Sequence, residues 1–360
     1  MPPASRYPSG VTPLRRRTAT ALVLAVAASA LCGCAPDSAS TPGPTPSASP
    51  TASQTPTPTP TPTPAQALSP LRGTTVLESS ITGPALAAKI DNHWDARPQW
   101  GIQNTDIVFE ELVEGGLTRY VAVWYSDVPK EIGPVRSIRP MDPDIIAPLG
   151  GIVAYSGGRS MFVSMMQSTD VHNAIHGGKD DRFMFRSTKK SAPHNVVVQA
   201  RKLRERYKAI KPPRQQFQYP VVDGMASAQV FGTAAKGVDL RFSNSSARAW
   251  RWDAASASYL RSQDGRKDLD ASGKQLRATN VVSMSVAIDW RYGDVPKTVM
   301  VGSGKAWIST GGKVVEAVWT KRSQTAPIVF TRTNGFPVYL GVGNTWVELV
   351  PKSGSIKIAR

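Results

Sequence analysis

The sequence predicts an α/β or α+β N-terminal domain followed by a β-rich, mostly antiparallel C-terminal domain. Two observations support this fold class. Between residues 71 and 222, a buried strand and a hairpin precede an amphipathic helix, whereas residues 223–360 carry one short apolar run after another, separated by turn signals. With 360 residues, of which 41% are hydrophobic, the chain is long enough to bury two such cores.

Residues 1–33 have the pattern of a signal peptide. Three arginines at 15–17 precede the apolar run "TATALVLAVAASA" (18–30), which is short for a bilayer crossing and ends in small residues. The following "LCGC" resembles the lipobox of bacterial lipoproteins. This resemblance implies cleavage before Cys34 and attachment of diacylglycerol and palmitate at that cysteine. An ordinary secretory signal with incidental cysteines is the alternative.

Export and lipidation predict a location on the extracytoplasmic face of the bacterial cell membrane. The formal net charge of +17 becomes +13 when the four arginines at 6 and 15–17 leave with the signal peptide. The protein is thus expected to be held at the membrane by its lipid anchor. Its basic surface in that compartment predicts an anionic cell-wall polymer or an envelope protein as the partner. Nucleic acid is not expected as a partner.

Residues 34–70 combine the lipidated cysteine with a disordered, Thr/Pro-rich tether. The repeat "TPTPTPTPTP" (55–64) lacks a backbone donor at every second residue and has no apolar side chain to bury, so it cannot form a core. At about 3.1 Å per residue, a polyproline-like tether spans up to about 110 Å. It is either an unmodified tether or an O-glycosylated stalk.

The N-terminal domain opens with a buried strand, "ALAAKID", and a hairpin around the Gly-Gly pair at 115–116. A two-residue turn at this pair predicts that Glu110, Glu114 and Arg119 share one face of the hairpin and that Glu111 points to the other.

A helix is predicted near the end of this domain. The segment "HNVVVQARKLRERYKAI" (194–210) places apolar residues at helical spacing, with Asn195 as the N-cap. Arginines and lysines cover the remaining faces, which is typical of a solvated surface; a membrane-binding helix is the alternative.

The C-terminal domain, residues 223–360, is predicted to be nearly all β. In "VVSMSVAIDW" (281–290), apolar residues alternate strictly with others, as in a half-buried strand. Six tryptophans lie in this part of the chain: Trp250, Trp252, Trp290, Trp307, Trp319 and Trp346. They favour core packing, and a carbohydrate-binding platform is the alternative.

Five segments together resemble a known family. They are, in chain order, "AAKIDNHWDARPQWGI", "TDIVFEELVEGGLTRYVAVW", "EIGPVRSIRPMD", "KSAPHN" and "NTWVELVP". They are similar to the YerB-like family of bacterial lipoproteins, which is catalogued as a domain of unknown function with N-terminal and C-terminal parts. The resemblance covers nearly all of residues 80–352. It implies a lipid-anchored envelope protein with an α/β first domain and a β-rich second one, and it transfers no catalytic residue.

The polar residues of these segments are the candidates for a ligand-binding site. They are Asp91, Asn92, His93, Arg97, Glu110, Glu111, Glu114, Arg119, Arg136, Arg139, Asp142, His194 and Asn195. A carboxylate or an imidazole can serve as a base, and guanidinium groups can stabilise an oxyanion or a phosphate. No nucleophile elbow, P-loop or zinc-hydrolase motif is present, so the sequence assigns no catalytic residue and no cofactor.

No metal site is predicted. His172 and His176 are four residues apart, which on a helix would place both on one face. However, a Gly-Gly pair follows at once and no glutamate lies between the two histidines, so they are interpreted as surface or loop residues.

The segment "GPVRSIRP" (133–140) contains the most functional-looking pair of residues, Arg136 and Arg139. Pro140 disfavours a helix at the residue before it, so the segment is predicted to be extended. Side chains three apart on an extended chain point to opposite faces, so one arginine is expected to pair with a glutamate while the other faces a ligand. The pair is either part of an anion site or an arginine–carboxylate brace.

Two functions therefore stay open. The favoured one is a non-catalytic binding module for an anionic wall polymer or a partner protein. The alternative is an envelope hydrolase or transferase that acts on an anionic glycan or a phosphate-bearing substrate.

Overall fold

A computed structural model describes residues 64–360, which belong to one compact unit. The predicted signal peptide, the predicted lipidation site Cys34 and nearly all of the predicted tether lie outside the described residues. Within residues 64–360, no helix is both long enough and apolar enough to cross a bilayer.

Strands dominate the fold, and the C-terminal part is β-rich, as predicted. The strands are β1 (Gln66–Leu68), β2 (Thr75–Leu77), β3 (Leu86–Asp91), β4 (Ile107–Leu112), β5 (Thr118–Trp124), β6 (Ile152–Tyr155), β7 (His172–Ile175), β8 (Met184–Arg186), β9 (Val196–Val198), β10 (Thr233–Ala234), β11 (Gly237–Ser243), β12 (Ser246–Asp253), β13 (Ser258–Gln263), β14 (Arg266–Lys267), β15 (Arg277–Ala278), β16 (Asn280–Val286), β17 (Ile288–Tyr292), β18 (Val295–Thr298), β19 (Gly302–Thr310), β20 (Lys313–Lys321), β21 (Val329–Arg332), β22 (Thr345–Pro351) and β23 (Ser355–Ala359). The helices are α1 (Asp142–Ile146), α2 (Ser160–Gln167), α3 (Ala200–Arg206) and α4 (Ser227–Phe231). These helices are short, and the α/β class of the N-terminal part stays a prediction.

The largest sheet contains 11 strands and is mixed. Its order is β10-β20-β19-β16-β22-β4-β5-β3-β6-β7, with β21 paired to β20. Strand β22 runs parallel to both β16 and β4, and β3, β6 and β7 also run parallel to one another, whereas β4, β5 and β3 are antiparallel neighbours. A second sheet of six strands has the order β14-β13-β12-β11-β23, with β15 paired to β13.

Apolar side chains cover both faces of the large sheet, because successive side chains of a strand point to opposite faces. On one face, Val121 packs in a cluster with Phe162 of α2. On the other face, Tyr120 packs edge-on against Trp346, and Trp346 packs against Trp250 of the second sheet. A charged residue in the central strands is therefore buried on whichever face it points to.

Residues from both sides of the predicted domain boundary at 222/223 share this sheet. Strand β22, close to the C-terminus, lies between β16 of the C-terminal part and β4 of the N-terminal part. The division of the chain into two domains at 222/223 stays a prediction. Strand β4 from the N-terminal part and strand β22 from the C-terminal part are hydrogen-bonded neighbours in one sheet.

The hairpin of β4 and β5 forms, but its predicted register is wrong by one residue. Glu111 lies opposite Arg119, and Glu110 lies opposite Tyr120. The connection is a three-residue turn, Glu114–Gly116, instead of two glycines alone. A shift of one residue moves side chains to the other face, so Glu111 shares a face with Arg119 and Glu110 does not.

The predicted helix over 194–210 is shorter than its periodicity indicates. Val196–Val198 form strand β9, which pairs with β8, and helix α3 begins only at Ala200 with Gln199 as the N-cap. Three consecutive β-branched valines suit a buried strand, and β-sheet pairing prevails over the helical spacing. Asn195 is therefore not a helix cap.

The alternating segment 281–290 is divided between β16 and β17. Of the tryptophans in this part, Trp250, Trp319 and Trp346 are buried, as core packing predicts, whereas Trp290 is 57% exposed.

Candidate functional site

A cavity of about 260 Å³ collects most of the predicted ligand-binding residues. It lies where β3 ends, beside the turn between β4 and β5, the segment 133–139 and the loop before β9. Its lining consists of Asp91, His93, Val113, Glu114, Leu117, Thr118, Arg119, Arg136, Arg139, His194 and Asp294. Seven of these residues were predicted from the sequence; Asp294, which belongs to the C-terminal part, carried no sequence signal.

The backbone of "GPVRSIRP" places its arginines at the cavity. The segment runs beside β3, where the Asp91 N–H donates to the carbonyl of Pro134 and the Arg136 N–H donates to the carbonyl of Lys89. The segment is extended, as predicted, but Arg136 and Arg139 do not diverge from the site, since both line the same cavity.

Asp91 organises one side of the cavity. Its Oδ2 lies 2.6 Å from Nδ1 of His194 and 3.2 Å from Nε of Arg136. Its Oδ1 accepts the backbone N–H of His93 at 3.1 Å. One buried carboxylate at the end of β3 thus orients three residues of the site.

The three arginines differ in their partners. Arg139 is nearly buried, and its Nε lies 2.8 Å from Oε2 of Glu114. Arg119 forms no ion pair among residues 64–360; its Nη1 donates to the carbonyl of Ser137 at 3.2 Å. Burial, together with the charges of Arg139 and Arg136, lowers the pKa of Arg119 to about 10 despite the attraction of Asp91 and Glu114. The cavity lining carries three guanidinium groups and three carboxylates, but Asp294 pairs with Arg159, so Arg119 has no carboxylate partner of its own among the described residues.

The two histidines of the cavity lie face to face. The rings of His93 and His194 stack with centroids 4.7 Å apart and planes inclined by 19°. Nδ1 of His93 accepts the backbone N–H of Asp95 at 3.2 Å, and the Asp95 carboxylate lies close by.

Glu111 and Asp142 lie beneath the cavity and do not line it. Both pair with the ammonium group of Lys89, which is fully buried; Nζ of Lys89 is 2.8 Å from Oδ1 of Asp142. Burial lowers the pKa of Lys89 to about 8, although Asp142 opposes the shift. Oδ2 of Asp142 accepts the backbone N–H of Arg139, so this buried cluster supports the arginine segment from below.

Glu110 lies on the opposite face of the sheet, between the two halves of the fold. Its carboxylate pairs with Nε of Arg248 at 2.7 Å and with Arg261 at 2.5 Å. Burial opposes its ionisation, but these two arginines and the hydroxyl of Thr118 outweigh burial and hold the pKa of Glu110 at about 2. Glu110 is thus a buried structural anion and not part of the cavity.

Asn92 and Arg97 belong to the same interior network. The side-chain oxygen of Asn92 accepts from Nη1 of Arg97 at 2.6 Å and from the hydroxyl of Tyr120 at 2.7 Å. Arg97 also forms an ion pair with Asp268 of the C-terminal part. Asn195 is likewise outside the cavity, since its amide group donates to the carbonyls of Ser187 and Lys190 and braces their loop.

His172 and His176 lie away from the cavity, and each has its own carboxylate. Nε2 of His172 is 2.8 Å from Asp180, and Nδ1 of His176 is 2.6 Å from Asp181.

A larger cavity, of about 440 Å³, lies beside α3 and is basic, since its lining has three cationic side chains and one glutamate. There, Arg201 donates to the carbonyl of Val128, and Arg204 donates to the carbonyls of Pro84 and Thr82. These guanidinium groups brace loops, so this cavity is the weaker candidate for a ligand site.

The fold places the chain in a known structural class. It is similar to the crystal structure of the YerB protein from Bacillus subtilis, with a TM-score of 0.70 over 81% of this chain and 99% of that chain, at 23% identity. At this level of identity the similarity concerns the fold alone.

The chain belongs to the DUF3048 family of proteins of unknown function. Residues 71–212 match the N-terminal domain of that family, and residues 238–347 match its C-terminal domain. One relative is "Putative lipoprotein YerB" of Bacillus subtilis (strain 168), which is 25% identical over 306 residues that cover 81% of this chain and 88% of the relative. The family resemblance inferred from the sequence is confirmed, and the chain is similar to a protein named as a lipoprotein.

Proposed function

We propose that this protein is a lipid-anchored, extracytoplasmic binding module whose arginine-lined cavity holds an anionic group of a cell-wall polymer. The observation that carries this proposal is Arg119, a guanidinium group at the cavity that has no carboxylate partner among the described residues and lies beside two further arginines. An anion there would accept hydrogen bonds from Arg119 and reduce the repulsion among the three positive charges.

Phosphate and carboxylate groups both fit this chemistry, because a guanidinium group binds either one through two parallel hydrogen bonds. Arg136 already pairs with Asp91, and Arg139 already pairs with Glu114. These two arginines therefore contribute mainly to the positive electrostatic potential and to the shape of the cavity. Substitution of Arg119 should therefore weaken anion binding more than substitution of Arg136 or Arg139.

The test is co-sedimentation of the full-length protein, solubilised in detergent, with purified cell walls. Arg119→Gln should weaken binding by roughly 10- to 100-fold, which corresponds to the ~1.5–3 kcal/mol of a hydrogen-bonded charge pair. Retention of the wild type should also fall as the salt concentration rises.

Arg251→Gln is the matched control, because Arg251 is an exposed arginine on β12 that pairs with Asp239 away from the cavity. Equal retention of the two variants, or binding by the wild type that salt does not weaken, would contradict the proposal.

The hydrolase alternative is favoured by one observation, the hydrogen bond of 2.6 Å between Asp91 and His194. A carboxylate that orients an imidazole is the arrangement of a general base, and the arginines are placed to stabilise a developing anion. Turnover of p-nitrophenyl esters or phosphodiesters by the wild type, lost in folded Asp91→Ala and Arg136→Ala variants, would assign catalysis instead of binding.

A further inference from the structure

His93, Asp95 and His194 bring two imidazoles and one carboxylate together at the edge of the cavity. One metal-binding atom of each residue lies within 4.8 Å of the corresponding atoms of the other two. His93 and Asp95 are close in the chain, whereas His194 arrives from the loop before β9.

The spacing of the first two residues matches that of metal ligands. Nδ1 of His93 lies 3.3 Å from Oδ2 of Asp95. Two ligand atoms that are each about 2.0–2.1 Å from a tetrahedral Zn²⁺ ion lie about 3.3 Å from each other. To bind a cation, Nδ1 of His93 would exchange the hydrogen bond of 3.2 Å that it accepts from the Asp95 N–H for a metal bond, and the stacked rings of His93 and His194 would turn so that their in-plane lone pairs meet.

Asp91 orients the third residue as an outer partner of a metal ligand does. The N–H at Nδ1 of His194 points to the Asp91 carboxylate, which leaves the lone pair on Nε2 free to bind a cation. Histidine ligands in proteins commonly donate their second ring N–H to a carboxylate, which sets the tautomer and raises the basicity of the ligand nitrogen. Asp91 also accepts the backbone N–H of His93, so one buried carboxylate holds two of the three ligand residues.

We propose that His93, Asp95 and His194 bind a divalent transition-metal cation such as Zn²⁺, whose open coordination positions face the arginine-lined cavity. Two imidazole nitrogens and one carboxylate oxygen form a donor set that zinc accepts, with room for a further ligand. The sequence predicted no metal site, because the three residues do not occur at a recognisable metal-ligand spacing.

The arginines give this cation site a second property. Arg136 and Arg119 repel a bare cation, whereas an anion between them and the metal is attracted to both. Cation and anion should therefore each increase the affinity of the other by the same factor. This coupling rests on the proposed function; the metal site depends only on its own three residues and Asp91.

The first experiment titrates Zn²⁺ calorimetrically into full-length protein that has been solubilised in detergent and stripped with a chelator. Asp95→Asn and His194→Ala should each weaken zinc binding by about 100-fold or more, and Asp91→Asn by about 10- to 100-fold. His176→Ala, which removes a histidine paired with Asp181 elsewhere, should bind as the wild type does.

Asp95 is the most informative position, because its side chain is 70% exposed and its removal should leave the melting temperature of the metal-free protein unchanged. Equal zinc affinity in Asp95→Asn, His194→Ala and the wild type, or loss of zinc binding in His176→Ala, overturns the site.

The second experiment repeats the titration in dimethyl phosphate, a diester that mimics a polymer phosphate. The wild type should bind Zn²⁺ more tightly in its presence, whereas Arg119→Gln should bind Zn²⁺ alone at least as tightly as the wild type and gain little from the diester. If the wild type binds Zn²⁺ equally well with and without the diester, the metal site is retained and the coupling is overturned. The two experiments therefore distinguish failure of the metal site from failure of the proposed function.

Discussion

The fold buries two carboxylates side by side where its two halves meet. Glu110 on β4 and Glu348 on β22 are register partners in a parallel pair, and both are fully buried. Glu110 keeps its charge because two arginines face it. Burial and the charge of Glu110 instead raise the pKa of Glu348 to about 8, while Trp250 donates its indole N–H to one oxygen of Glu348 at 2.7 Å. The pair therefore carries one proton near neutral pH.

This proton makes stability depend on pH. An unfolded glutamate titrates near pH 4.3, so between that pH and about 8 the folded state retains a proton that the unfolded state has lost. The free energy of unfolding should fall as pH rises through this window, by up to about 1.4 kcal/mol per pH unit from this group. Glu348→Gln cannot lose the proton, so the variant should become more stable relative to the wild type as pH rises, in denaturant titrations from pH 5 to 9.

Glu316→Gln is the matched control, since Glu316 is an exposed residue on β20. A constant difference in stability between Glu348→Gln and the wild type over the whole window would show that Glu348 does not hold the proton.

Among the elements, β22 has the most consequential position. It is buried along its whole length and hydrogen-bonded on both sides to strands from different halves of the sequence. Damage to this strand should therefore affect both halves together.

Leu349→Ala tests the role of β22. Leu349 is fully buried, and its truncation should lower the free energy of unfolding by about 2–5 kcal/mol. Because the sheet is continuous across β22, unfolding should remain one transition, coincident by tryptophan fluorescence and circular dichroism.

Val301→Ala, at a position that is 43% exposed, should change stability by less than about 0.5 kcal/mol. Two separate transitions, of which Leu349→Ala shifts only one, would indicate that the segments on either side of 222/223 fold independently.

At the scale of the whole molecule, the predicted lipid anchor would hold the cavity at a membrane surface. The lipobox resemblance predicts acylation at Cys34, and one relative is named as a putative lipoprotein. Cys34→Ala should move the protein from the membrane fraction to the soluble fraction, as measured by fractionation and immunoblotting.

Cys32→Ala offers a control within the same motif, because it removes a thiol two residues earlier and leaves a small residue before Gly33. This variant should stay in the membrane fraction. Release of both variants, or of neither, would contradict lipidation at Cys34.

Local patterns were sufficient to predict the β-rich character of the C-terminal part, the buried strand β3, the existence of the hairpin and the family, because each depends on residues that are neighbours in the chain. Local patterns also indicated most of the residues that line the cavity, since Asp91, His93, Arg136 and His194 all occur in polar loop motifs that follow or precede strands.

Only the tertiary structure decided which of these residues meet. The turn has one residue more than predicted, and the turn sets the register of the hairpin. Because strand side chains alternate between faces, Glu111 lies opposite Arg119 on one face of the sheet and Glu110 points to the other face. The stacking of His93 on His194 and the lack of an ion-pair partner for Arg119 within residues 64–360 depend on how loops distant in the sequence pack together. Contacts of that kind depend on long-range packing, which no local periodicity in the chain records.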